Sequence, residues 1–156
     1  MIKFLAKNPL KEIVILDFLH LFYYYIGTCF SMITLIIPCL NEKSNINLII
    51  KNIKLFSKKK HLIVDGGSND NSKELYKKNK INFITTFASR GFQQKKGAES
   101  SNTKWLFFLH ADTELNNKNI SEIENFIQNY NNKYKVAFFK VLFREKIILS
   151  KLISVW

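Results

Sequence analysis

Cysteine is scarce in this chain, and arginine is scarce beside lysine. Cys29 and Cys39 are the only thiols, and they form no Cys-x-x-Cys pair and no Cys/His cluster. That excludes a disulfide-stapled scaffold and a structural zinc site, and makes a reduced, cytoplasmic compartment the default. Arginine occurs only at Arg90 and Arg144, although Lys and Arg together number 24 against 12 Asp and Glu. The net charge of +12 is therefore a lysine charge, scattered in short groups such as Lys58-Lys59-Lys60 and Lys77-Lys78. Base readout favours arginine, and strand binding favours aromatics on an exposed face. The aromatics here sit mostly inside apolar runs, so no nucleic-acid partner is expected. Glycines number five and prolines two, with no low-complexity linker and no internal repeat. There is no G-x-x-x-x-G-K-[ST] and no G-x-G-x-x-G opening a helix, which excludes the two common phosphate loops. What is present is 156 residues, 47% of them hydrophobic, enough for one domain with a core.

Residues 1–31 differ from the rest. Residues 13–30 are almost continuously apolar, broken by Asp17 and His20, and just long enough to span a bilayer. Asp17 opposes insertion by roughly 2.5–3.5 kcal/mol. Lys3, Lys7 and Lys11 would hold the N-terminus inside and send everything later out of the cytosol. No small-x-small cleavage site follows the run. Met32 stands just before the first strand and would make a natural start. Residues 1–31 are therefore read as an apolar extension making few contacts with the fold, with peripheral membrane association as the alternative.

From residue 32 the pattern alternates. Strands are expected at 32–38, 60–64, 81–86, 104–110 and 135–144. Helices are expected at 43–56, 92–101 and 119–130, with another beginning at 147–155. Asn71-Ser72-Lys73-Glu74 reads as a capping box opening a further helix to 79. Pro38, without an N–H, should end the first strand. This is an α/β fold, a mostly parallel Rossmann-like sheet with helices on both faces.

Three apolar strands run abruptly into polar groups. The first reaches Asn41 and Glu42. The second reaches Asp65-Gly66-Gly67-Ser68-Asn69-Asp70, and the fourth reaches His110 and Asp112. Parallel sheets bind ligands outside the carboxyl ends of their strands. Paired glycines let backbone approach a ligand closely, although the same residues also suit a plain Asx-type turn. Arg90 at a helix start suits a diphosphate, with Lys95 a little over one turn further on. Asp112 suits a hard divalent cation, and His110 would point the same way if the strand continued.

Four motifs in order carry a resemblance. They are I-I-P-x-L-N-E at 36–42, D-G-G-S-x-D at 65–70, S-R-G-x-Q-x-x-x-G-A at 89–98 and F-L-H-A-D-T at 108–113. Together they resemble the family-2 glycosyltransferases and their GT-A nucleotide-sugar fold. The last is close to the His-Ala-Asp-Thr variant of a bacterial subgroup. The resemblance implies a nucleotide-diphospho-sugar donor held by Pro38, Asn41, Glu42, Asp65, Gly67, Ser68, Arg90 and Lys95. It implies a divalent metal, Mn2+ or Mg2+, at Asp112 with His110, and transfer to an acceptor hydroxyl of unknown identity. His110 replaces the first Asp of the usual Asp-x-Asp. No general base is assigned, because Asp70, Glu114 and Glu145 match no motif. The expected organisation is an extension at 1–31, a donor-binding domain at 32–145 and the start of an incomplete acceptor region at 146–156. A truncated, inactive nucleotide-binding fragment is the alternative, and a basic nucleic-acid-binding domain a weaker one. A haloacid-dehalogenase-like phosphatase is excluded, since its nucleophilic Asp would have to stand at His110.

Overall fold

In a computed structural model, residues 4–6, 33–56, 60–129 and 136–137 are described. Four strands form the parallel part of the sheet: β2 (Ile33–Cys39), β3 (Lys60–Asp65), β4 (Phe83–Thr85) and β5 (Trp105–Phe108). A fifth, β1 (Phe4–Ala6), lies antiparallel on β5, pairing Phe4 with Phe107 and Ala6 with Trp105. The order across the sheet is β1-β5-β2-β3-β4. The chain thus winds from β2 to β3 to β4 in one direction, then returns past β2 to place β5 on its other side. The sheet reverses its strand order between β2 and β5.

Both faces of β2 and β5 are covered, so their residues read as unbroken apolar runs rather than alternation. Ile33, Leu35, Ile37, Ile63, Trp105 and Phe107 point to one face. There they meet helices α1 (Ile46–Leu55), α2 (Ser72–Lys78) and α4 (Asn117–Gln128), through Ile49, Tyr76, Ile120, Ile123 and Ile127. Phe56, just past α1, stacks on Phe107 with ring centroids 5.4 Å apart. Ile36, Val64, Leu106 and Phe108 point to the other face, against Ala98 of α3 (Arg90–Glu99). Gly97 allows that approach: a Cβ there would lie 2.5 Å from Ile36 Cγ2 and 3.0 Å from Val64 Cγ2.

The sequence expectations hold for type and order of these elements and fail at some ends. A short 3-10 turn, Lys43–Asn45, precedes α1 in place of one continuous helix. Pro38 sits inside β2 rather than ending it. Pairing with β5 reaches only to Ile36, so proline occupies a local edge where its missing N–H is tolerated. The capping box at Asn71 and Glu74 does not form. Asn71 is left-handed (φ 66°) and its side chain makes no cap bond. Asp70 accepts from the Ser72 amide instead, at 3.0 Å. A capping box does form where none is expected, between Asn116 and Asn119 at the start of α4.

The extension is expected to make few contacts, yet residues 4–6 pair along β5. The free edge of β5 carries backbone donors and acceptors that a short strand satisfies. The rest of 1–31, the strand expected over 135–144 apart from 136–137, and the helix expected at 147–155 lie outside the described residues. No helix among the described residues is long and apolar enough to cross a membrane.

Candidate functional site

The carboxyl ends of the parallel strands release four loops along one edge of the sheet. Those after β2 and β5 flank the point where the strand order reverses, the usual position of a crevice in open α/β sheets. β2 lies between β3 and β5, so Asp65 and Asp112 belong to the same edge.

The loops after β2 and β3 are stitched together. Ser68 Oγ accepts from the Asn41 amide at 2.9 Å, and Asn41 Oδ1 accepts from the Asn69 amide at 3.0 Å. Asn41 reaches this position in the left-handed region (φ 57°), which asparagine enters more readily than most residues. Asp70 Oδ2 accepts from the Lys43 amide at 2.9 Å. Glu42 is half-buried and its Oε2 accepts from Asn45 Nδ2 at 2.7 Å.

Asp65 is fully buried beneath its own loop. Its Oδ1 accepts from the amides of Gly67 (2.9 Å) and Ser68 (2.7 Å), and its Oδ2 from the Ser68 hydroxyl (2.6 Å). Lys73 Nζ lies 3.9 Å away. The carboxylate therefore shapes the turn, as an Asx-type reading allows, and Gly67 takes the positive φ (93°) the turn requires. Burial works against charge on Asp70, but the Ser72 hydroxyl and the amides of Lys43 and Ser72 outweigh it. They hold its carboxyl below the usual range.

Two anchoring residues escape sequence reasoning. Gln93 of α3 is buried, and its Nε2 donates to the carbonyls of Cys39 (2.8 Å) and Val64 (2.7 Å) at the ends of β2 and β3. Asn52 of α1 is fully buried; it donates to the Thr113 carbonyl (2.7 Å) and accepts from the Leu115 amide (3.0 Å). It thereby pins the loop that carries Asp112. Each is a polar residue on a helix face turned inward, where burial is costly without partners. That pattern was the available signal.

β5 ends at Phe108, not at 110. Leu109 still donates to the Ile36 carbonyl at 3.0 Å, and the Thr113 amide then closes a turn onto the His110 carbonyl at 3.1 Å. The strand alternation that would align His110 with Asp112 is thus replaced by a turn. His110 is half-buried and Asp112 exposed, with no side-chain hydrogen bond from Asp112 to a described residue. Among the described residues no three His, Cys, Asp or Glu cluster as a metal cage. A single exposed carboxylate suits only a cation shared with ligand phosphates, the way Mg2+ is usually held. Asp112 has the exposure that arrangement needs, and a turn rather than a strand links it to His110.

Arg90 is exposed at the first position of α3, beside the loop after β4. Lys95 lies 3.9 Å from Glu99 along the same helix, an exposed pair one turn further from the crevice. Pro38 is half-buried within β2. Glu114 pairs with Lys51. Burial pushes the Cys39 thiol up to about 12, which disfavours the thiolate.

A family model described as glycosyl transferase family 2 matches residues 34–146. The comparison with curated proteins finds no match. Among solved structures, the chain is similar to the mannosyltransferase PcManGT from Pyrobaculum calidifontis in complex with GDP-Man and Mn2+. The TM-score is 0.51 and the identity 14%, over 69% of this chain and 39% of that one. At that identity the likeness is one of fold.

Proposed function

Because the chain belongs to glycosyl transferase family 2, we propose that its carboxyl-edge crevice binds a nucleotide-diphospho-sugar for transfer to an acceptor hydroxyl. The observation that carries this reading is the stitched pair of loops after β2 and β3, opposite an exposed acid and beside an exposed arginine. Asn41, Glu42 and the backbone of Gly67 and Ser68 would face the nucleoside. Asp65 acts beneath them, holding the turn rather than touching the ligand. Arg90 and the free amides of the first turn of α3 would take the diphosphate. In transfer, the acceptor hydroxyl gives its proton to a base and its oxygen attacks the anomeric carbon as the nucleoside diphosphate leaves, and fixed positive charge at Arg90 stabilises the departing oxygens. Asp112 would hold a divalent metal jointly with phosphate, and that metal would supply further neutralisation of the leaving group. PcManGT, with its GDP-Man and Mn2+, supports the donor and metal classes. A cytoplasmic location goes with such donors.

A second reading, donor binding with little transfer, draws on the acids. Asp70 is occupied by the Lys43 and Ser72 amides and the Ser72 hydroxyl, and Glu114 by Lys51. Those partners disfavour either acid as the base for an acceptor hydroxyl. The deciding experiment is calorimetric titration of the full chain with GDP and UDP, with and without manganese. Binding strengthened by manganese in wild type but not in Asp112→Ala is expected. Equal affinities under all conditions would remove the metal assignment, and no binding of either nucleotide would remove the donor proposal.

A further inference from the structure

We infer that Gln93 is a positioning residue that fixes the spacing of the nucleoside-facing loops and ties them to the diphosphate end of the crevice. The inference rests on the donor-site reading above, though its geometry stands apart from it. A neutral amide nitrogen has two N–H groups. Gln93 spends both on the strand ends that launch the two loops: Cys39 O, two residues before Asn41, and Val64 O, one before Asp65. Cys39 O also accepts from the Gly66 amide at 2.8 Å. The ends of β2 and β3, the start of the second loop and α3 therefore meet at one carbonyl.

Glycine at position 66 makes room for this node. A Cβ there would lie 3.2 Å from Gln93 Nε2 and 3.3 Å from its Cδ. An apolar side chain at 93 would fill the same space without needing partners, so the amide contributes direction rather than bulk. Arg90 lies three residues earlier on α3, a near neighbour on the helix surface. A shift of α3 against the strand ends would move Arg90 and the loops relative to each other. Gln93 resists that shift.

The test uses the full chain, with Gln93→Met to keep length and remove both donors, and Gln93→Glu as the isosteric variant. Amide hydrogen exchange is followed in the site loops and in β5. The expected result is faster exchange at Gly66, Gly67 and Ser68 by roughly tenfold or more, the order of effect of losing bonds to buried carbonyls. Protection at Leu106 and Phe107 should stay unchanged. A purely stabilising residue would speed loops and β5 alike through global opening. That uniform result, or an unchanged loop, would overturn the inference. If Gln93→Glu fails to fold, Gln93→Met alone decides. GDP with manganese is then titrated into wild type and Gln93→Met. No binding to wild type sinks the donor reading while the exchange result still judges the spacing role. Binding to wild type with undiminished affinity in Gln93→Met overturns the role itself.

Discussion

Replacing Gly97 by alanine should destabilise the protein, against the ordinary rule for helices. Within an exposed helix, Ala is better than Gly by about 1 kcal/mol. Gly97 is buried near the end of α3, where that helix crosses the sheet. A Cβ would lie 2.5 Å from Ile36 Cγ2, 3.0 Å from Val64 Cγ2 and 3.4 Å from Ile36 Cδ1. Comfortable carbon contacts are about 3.5–4.0 Å. Both Cγ2 atoms are branch methyls on side chains stiff at χ1, and both residues are wholly buried. Neither can swing away, so α3 must lift from the sheet. Overpacking of this kind costs about 1–3 kcal/mol. The upper end applies here, and subtracting the propensity gain leaves a net loss of about 2 kcal/mol. Gly91 on the same helix is the control, since a Cβ there meets nothing within 4 Å. Gly91→Ala should be neutral or stabilising by up to about 1 kcal/mol. Urea unfolding of the three proteins, compared at equal slope, gives both signs. A Gly97→Ala variant as stable as wild type would refute the close packing of α3 on β2 and β3.

Asp65→Ala should lose about 3 kcal/mol, because two amides and a hydroxyl lose a charged acceptor beneath the loop. Thermal melts showing a loss below about 1 kcal/mol, within reach of a single neutral bond, would refute that turn-holding role. His61 gives a pH signature. Burial holds its imidazole below the ordinary 6.5, and Nε2 is buried without a hydrogen-bond partner among the described residues. The folded state therefore favours the neutral ring. The sign follows: this contribution is complete above about 6.5 and is lost as pH falls toward the lower folded value. His61→Leu should flatten melting temperature between pH 7 and the onset of carboxylate titration, and parallel profiles for the two proteins would count against it.

The apolar runs made most of the fold legible. Strands buried on both faces must be apolar throughout, and the runs at 32–38, 60–64 and 104–110 announced the strands that fold as Ile33–Cys39, Lys60–Asp65 and Trp105–Phe108. Their alternation with amphipathic helices left a mostly parallel sheet as the consistent choice. Ends were less legible because they depend on neighbours. Pro38 is accommodated only because β5 stops pairing at Ile36. Asn71 loses the cap to Asp70 because its own backbone turns left-handed.

The sequence by itself determined which residue types sit at the strand tips, and so placed Asn41, Glu42, Asp65, Arg90 and Asp112 along one edge of a sheet. Periodicity and breakers are local properties, and they suffice for that. Which of those groups remains available was decided only in three dimensions. Asp65 is buried and accepts three hydrogen bonds within its own turn, while Asp112 stands exposed. Lys95 lies 3.9 Å from Glu99 on the exposed face of α3, while Arg90 stands at the helix start. Gln93 and Asn52 bind carbonyls 54 and 61 residues away in the chain. A hydrogen bond across such separations leaves no periodic trace in a sequence; it exists because the folded sheet brings the strand ends within reach.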